Sequence, residues 1–97
     1  MLAQIQVSPR PSGTDVDRYA YVDAAIAVIQ RSGLTYEVGA MGTTIEGTPE
    51  QLWPLLREVH EATVAAGAHG VSSLIKLAQT GADDGPGIAD LVGKFRS

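Results

Sequence analysis

The 97-residue sequence contains no cysteine, one tryptophan, one phenylalanine and three tyrosines. Without cysteine there is no disulfide frame, thiolate zinc site, iron–sulfur cluster or cysteine nucleophile. A secreted domain of this size commonly needs such staples, so a cytoplasmic protein is expected. Basic residues are also scarce, seven against eleven acidic ones. The resulting formal charge of −4 has the wrong sign for attraction to phosphate, which sets nucleic acid aside as a partner. No apolar run approaches the ~20 residues that cross a bilayer, and Met1–Gln6 is not a basic region leading into an apolar stretch. Neither membrane anchoring nor export is expected.

Apolar residues make up 44% of the chain, near the globular average, and charged residues only 19%, which argues against disorder and leaves surface that a second copy can cover. A chain this short hides only about 60% of its unfolded surface and cannot divide that burial between two cores, so one domain spanning residues 1–97 is expected.

Residues 2–8 alternate, with Ala3, Ile5 and Val7 on one face and Gln4, Gln6 and Ser8 on the other, which predicts a strand ended by Pro9, Pro11 and Gly13. From Thr14 the period becomes helical. Tyr19, Val22, Ile26 and Ile29 form a stripe, and Gly33 is placed as the C-terminal cap. Leu34–Gly47 is rich in β-branched and aromatic residues and broken by Gly39-Ala40-Met41-Gly42, which predicts a hairpin. A turn centred on Ala40 and Met41 sets Glu37 opposite Thr44 and Thr35 opposite Glu46 on one face, with Tyr36, Val38, Thr43 and Ile45 on the other, whereas a bulge would flip one strand and undo that assignment.

Thr48-Pro49-Glu50-Gln51 is a helix start: a hydroxyl cap, a proline where no N–H is needed, and a glutamine that closes a capping box. Pro54 lies beyond the first turn and predicts a kink or an irregular opening turn. Residues 71–78 alternate again, Gly81–Gly87 reads as an acidic linker, and Ile88, Leu91, Val92 and Phe95 form a short helical stripe that needs something to dock on. The order βαββαβ plus a C-terminal helix predicts an α+β, ferredoxin-like fold: a four-stranded antiparallel sheet, two helices covering one face, and a short C-terminal helix. The other face carries Gln4, Gln6, Ser8, Glu37, Thr44, Glu46, Ser72, Leu74 and Lys76. It faces either water or a second subunit with a polar ligand between.

Chemistry-bearing residues are few. His60 and His69 match no common metal-ligand spacing, so no metal site is expected; His60 reads as capping or pairing locally with Glu58 or Glu61, and His69 as a solvated turn residue. Ser72-Ser73 lacks the elbow of a serine nucleophile. Glu37 and Glu46 on one face are sterically capable of acid–base work, though a solvated face or a pair with Lys76 is the commoner meaning of such carboxylates. The glycines of the hairpin precede no helix N-terminus, so they read as turn chemistry rather than a phosphate cradle. The central strands lack the exposed aromatics with which RNA-binding sheets of this topology stack bases.

Tyr36-Glu37-Val38-Gly39-Ala40-Met41-Gly42-Thr43-Thr44-Ile45-Glu46-Gly47 resembles the signature hairpin of the small thiamine-binding proteins. Val59-His60-Glu61-Ala62, Gly67-Ala68 and Ser72–Leu77 are similar to that family's second helix and last strand. The resemblance implies a ferredoxin-like subunit of a homo-oligomer, a dimer or tetramer paired sheet to sheet, which binds thiamine or its hydroxymethylpyrimidine moiety near subunit contacts. It implies no reaction and no cofactor, thiamine being the candidate ligand. Carried over by position, the ligand-binding residues are Tyr36, Glu37, Met41, Gly42, Thr43, Thr44 and Glu46. Thiamine joins a cationic thiazolium to an aminopyrimidine, and a carboxylate, hydroxyl or amide groups and a polarisable side chain suit both. The alternative function is a small oligomeric enzyme or regulatory subunit that uses the polar sheet face.

Overall fold

A computed structural model describes residues 1–96. The elements run β1 (Leu2–Arg10), α1 (Ala20–Arg31), β2 (Thr35–Val38), β3 (Thr43–Glu46), α2 (Pro49–Ala66), β4 (Gly70–Ala78) and α3 (Ile88–Val92), followed by a 3-10 turn over Gly93–Phe95. The four strands form one sheet in the order β2-β3-β1-β4, every neighbouring pair antiparallel. This is the ferredoxin-like arrangement. One face carries α1 and α2, and the core lies between: Ala3, Ile5 and Ile45 from the sheet meet Ala25, Val28 and Ile29 of α1 and Leu52, Leu56 and Val59 of α2.

The hairpin register is the one the alternation predicts, with Glu37 opposite Thr44 and Thr35 opposite Glu46. Val38 and Tyr36, on the core side of the edge strand β2, are only partly covered. β1 runs two residues past its expected end, through Pro9 to Arg10. Beyond Ile5 it keeps β4 as its only paired neighbour, and a strand free on one side tolerates proline.

α1 begins six residues later than the periodicity suggests. The Thr14 N–H donates to the Asp17 carbonyl (2.8 Å), the Asp17 N–H to the Thr14 hydroxyl (3.0 Å), and the Ser12 hydroxyl to the Arg18 carbonyl (2.8 Å). Short polar side chains thereby hold residues 12–18 in a folded loop that competes with helix. Gly13 belongs at its centre, since a Cβ there would stand 2.2 Å from the Asp17 carbonyl oxygen. The loop delivers Tyr19 to the mouth of the space between α1 and the hairpin.

α2 opens with the expected capping box: the Gln51 N–H donates to the Thr48 hydroxyl (3.2 Å) and the Thr48 N–H to the Gln51 side-chain carbonyl (3.0 Å). Thr48→Ala is expected to cost about 1 kcal/mol, read as a lower denaturant midpoint at unchanged slope; an unchanged midpoint contradicts the cap. The irregular opening turn expected of Pro54 is absent, and the helix is unbroken from Pro49 to Ala66. Pro54 is exposed, as is Glu50, whose carbonyl loses its helical donor and is left to water.

His60 does not pair with its acidic neighbours. Its Nδ1 bonds the Ser73 hydroxyl and ties α2 to β4, while Glu61 accepts from Arg57. The C-terminal segment docks on the sheet face opposite α1 and α2. There Glu46 accepts the Ile88 N–H (2.7 Å), Glu37 pairs with Arg96 (3.2 Å), and the Met1 amine meets Asp83 (2.9 Å). Ile88 is buried by this docking, but Leu91 and Phe95 of the same stripe stay exposed. No helix among the described residues is long and apolar enough to cross a membrane.

Candidate functional site

A cavity of about 450 Å³ opens at the corner where β3 stops and β1 continues. Its floor is Ile5, Gln6 and Val7 of β1, one wall is the hairpin turn from Gly39 to Thr43, and the other is Tyr19, Val22, Asp23 and Ile26 at the start of α1. Each wall follows from local chemistry. The turn is closed by the Gly39 N–H donating to the Gly42 carbonyl (2.9 Å), and Gly42 sits at φ +157°, where a Cβ would approach the Ile5 carbonyl oxygen to 3.2 Å. A side chain at Gly42 is therefore strained by conformation and by contact, and glycine lets the turn lie against β1. The first turn of α1 brings Asp23 onto the same side as Tyr19, one helical turn earlier.

The lining combines an apolar majority with a few polar groups: the Asp23 carboxylate, the Thr43 hydroxyl and the Tyr19 phenol, beside the exposed Met41 thioether. That composition is what small-ligand pockets have. Two other clefts lie on the helical layer. One, of about 520 Å³, is lined mainly by alanines of α1 and α2 with Arg31, Glu58 and Glu61; the other, of about 330 Å³, lies by Ser32 and Pro54. Both lie wider open to solvent than the hairpin cavity and contain no aromatic side chain, so the hairpin cavity, intermediate in volume and the most enclosed of the three, is the better candidate. Among the described residues no three His, Cys, Asp or Glu side chains come together as metal ligands.

The seven residues singled out in the sequence fall on two sides of the sheet. Met41, Gly42 and Thr43 line the cavity. Tyr36 is on the same side, but on β2 and outside the lining. Thr44, Glu37 and Glu46 point to the opposite face, where both carboxylates are held by the C-terminal segment. Asp23 was not singled out, although the sequence held a signal for it: it lies four residues after Tyr19 and three before Ile26, on the helical stripe itself.

Comparison with known proteins covers nearly the whole chain. The sequence profile of the family described as thiamine-binding protein matches residues 3–91. The chain belongs to that family. It is 34% identical over 86 residues to a UPF0045 protein of Clostridium perfringens, covering 89% of this chain and 88% of the relative. The solved structure of a domain of unknown function, DUF77, from Bacillus cereus superposes with a TM-score of 0.85 at 38% identity, covering 98% of this chain and 88% of that one. A Thermotoga maritima protein proposed to act in thiamine biosynthesis or salvage shares the fold, with a TM-score of 0.76 at 24% identity over 99% of this chain and all of its own length. As a thiamine-binding family member, the chain carries a family description that names a ligand and no reaction.

Proposed function

We propose that this protein is a non-catalytic binder of thiamine or its hydroxymethylpyrimidine moiety, and that the ligand sits in the cavity between β1, α1 and the hairpin turn. The observation that carries the reading is the lining itself, in which the hairpin that marks the family meets one aromatic ring, one thioether and one carboxylate. The volume suits a two-ring ligand, within the roughly 300–1,000 Å³ of small-molecule sites. In this arrangement Tyr19 and Met41 lie against a flat ring, Thr43 offers a hydrogen bond, and Asp23 faces the cationic end. The binder works as a homo-oligomer. Leu74 and Phe95 are 73% and 75% exposed, beside a sheet face that the short C-terminal segment only partly covers, and a second copy removes them from water.

The test is calorimetric titration with thiamine and, separately, hydroxymethylpyrimidine, with chromatography of the ligand after incubation and light scattering on the same samples. Saturable binding, recovery of unchanged ligand and a dimer or tetramer mass are expected. Absence of heat and of a thermal shift with either ligand removes the binding assignment, conversion of the ligand makes the protein an enzyme, and a monomer mass removes the assembly.

A further inference from the structure

We propose that the backbone N–H and C=O of Val7, on the unpaired edge of β1, read the 4-aminopyrimidine ring by taking its N3 nitrogen and exocyclic amino group as an acceptor–donor pair. The inference rests on the thiamine reading and adds to it the group that selects the ring. β1 pairs with β3 only from Leu2 to Ile5, but with β4 from Leu2 to Arg10. Its edge facing β3 is therefore free from Gln6 onward, at the place where the cavity opens.

In an antiparallel ladder the residues of a strand send their N–H and C=O alternately to one side and the other. Three contacts fix that alternation for β1. The Met1 carbonyl accepts from the Gly47 N–H, on the β3 side, and the Ile5 carbonyl lies against Gly42 of the hairpin, on the same side. The Arg10 carbonyl accepts from the His69 N–H, on the β4 side. Odd-numbered residues of β1 thus address the hairpin and even-numbered ones β4. Val7 is the first odd residue beyond the end of β3, and Pro9, the next, has no N–H. Val7 alone presents both a donor and an acceptor to the free edge, and it lines the cavity.

Unpaired backbone groups in a partly closed space favour any occupant that bonds them. A bare strand edge also attracts another strand, but here Gly39–Gly42 on one side and Tyr19 and Asp23 on the other close the corner to about 450 Å³, which admits a ring and not an added strand. A 4-aminopyrimidine sets an acceptor nitrogen beside an amino donor in one plane, complementary to the N–H and C=O of an extended residue. A 4-oxopyrimidine reverses the order, with N3 as donor and oxygen as acceptor. It meets the same pair only by shifting and turning the ring, which moves its substituent away from Asp23.

Nuclear magnetic resonance of 15N-labelled protein with 15N-labelled thiamine tests the bond without any variant. The Val7 amide is expected to exchange rapidly in the free protein and, on saturation, to move downfield, to slow at least about tenfold, and to show scalar coupling across the hydrogen bond to a pyrimidine nitrogen. The Ile5 amide, already on the β3 ladder, serves as the unchanged control. The 4-oxo analogue of thiamine is expected to bind at least about tenfold more weakly, because a site that bonds polar groups discriminates strongly against a mismatched edge. A Val7 amide already protected in the free protein, one without coupling when thiamine is bound, or equal affinity for the 4-oxo analogue overturns the proposal while leaving thiamine binding intact. Failure of thiamine to bind at all overturns the functional reading instead.

Discussion

Replacing Ile45 with alanine is expected to lower the unfolding free energy by about 2–5 kcal/mol. Ile45 is 0% exposed, in the middle of the helix-covered face. Its neighbours across the strands are Ala3 on β1 and Tyr36 on β2. Ala3 is too small to fill the space left by truncation, and Tyr36, on the edge strand, is part-exposed, so collapse of the cavity is incomplete and the loss includes a void as well as lost transfer energy. A domain of this size has a total stability of roughly 5–15 kcal/mol, so the loss is a large share of it and lowers the melting temperature by about 10 °C or more. Leu74→Ala, on the exposed face, is the control and should stay within about 0.5 kcal/mol in the monomeric, dilute protein. Chemical denaturation decides, and a change at Ile45 below about 1 kcal/mol means that β3 is not packed as described. Ile45 shares its face with Thr43 of the cavity, so thiamine at a hundredfold excess over its dissociation constant should restore about 2.7 kcal/mol if the site survives.

The pairing of β2 with β3 was legible because two local signals agree. Gly39 to Gly42 supplies a turn, and of the registers left open by the alternation, with and without a bulge, the unbulged one is found, burying both Thr43 and Ile45. The start of α2 was equally plain, since a capping box and a proline at the first helical position are written in consecutive residues. The start of α1 was not. Thr14 and Ser12 use their hydroxyls against the backbone of Asp17 and Arg18, a choice that periodicity does not reveal, and Tyr19 consequently ends at a cavity mouth rather than inside a helix. Nor was the fate of Glu37 and Glu46 legible. Their partners, Arg96 and the Ile88 N–H, come from a segment separated from them by the whole of α2 and β4, and no spacing rule connects residues so distant. The cavity has the same origin: it exists because β3 is shorter than β1, a mismatch that emerges only when strands are paired.

Asp23→Asn is expected to weaken thiamine binding by about tenfold or more, whereas Glu37→Gln and Glu46→Gln change it by less than about threefold. Of these three carboxylates only Asp23 lines the cavity. A hydrogen bond to a charged group contributes about 1.5–3 kcal/mol, and the lower figure is the better guide because Asp23 is exposed to solvent and its attraction is screened. Asparagine keeps the shape and removes the charge, so the loss reports on the cation. Asp23 also lies in the first turn of α1, where an acidic residue contributes about 0.3–1 kcal/mol through the helix dipole. Denaturation of the same variant separates that contribution from binding. Glu46 and Glu37 hold the C-terminal segment instead, and their glutamine variants are expected to speed amide exchange at Ile88 without altering affinity. The reverse pattern, with binding lost at Glu37 and Glu46 and kept at Asp23, places the ligand on the open sheet face and requires the C-terminal segment to move aside to admit it. If all three variants bind like the wild type, recognition falls to uncharged groups, and a neutral pyrimidine fragment should then bind as tightly as whole thiamine.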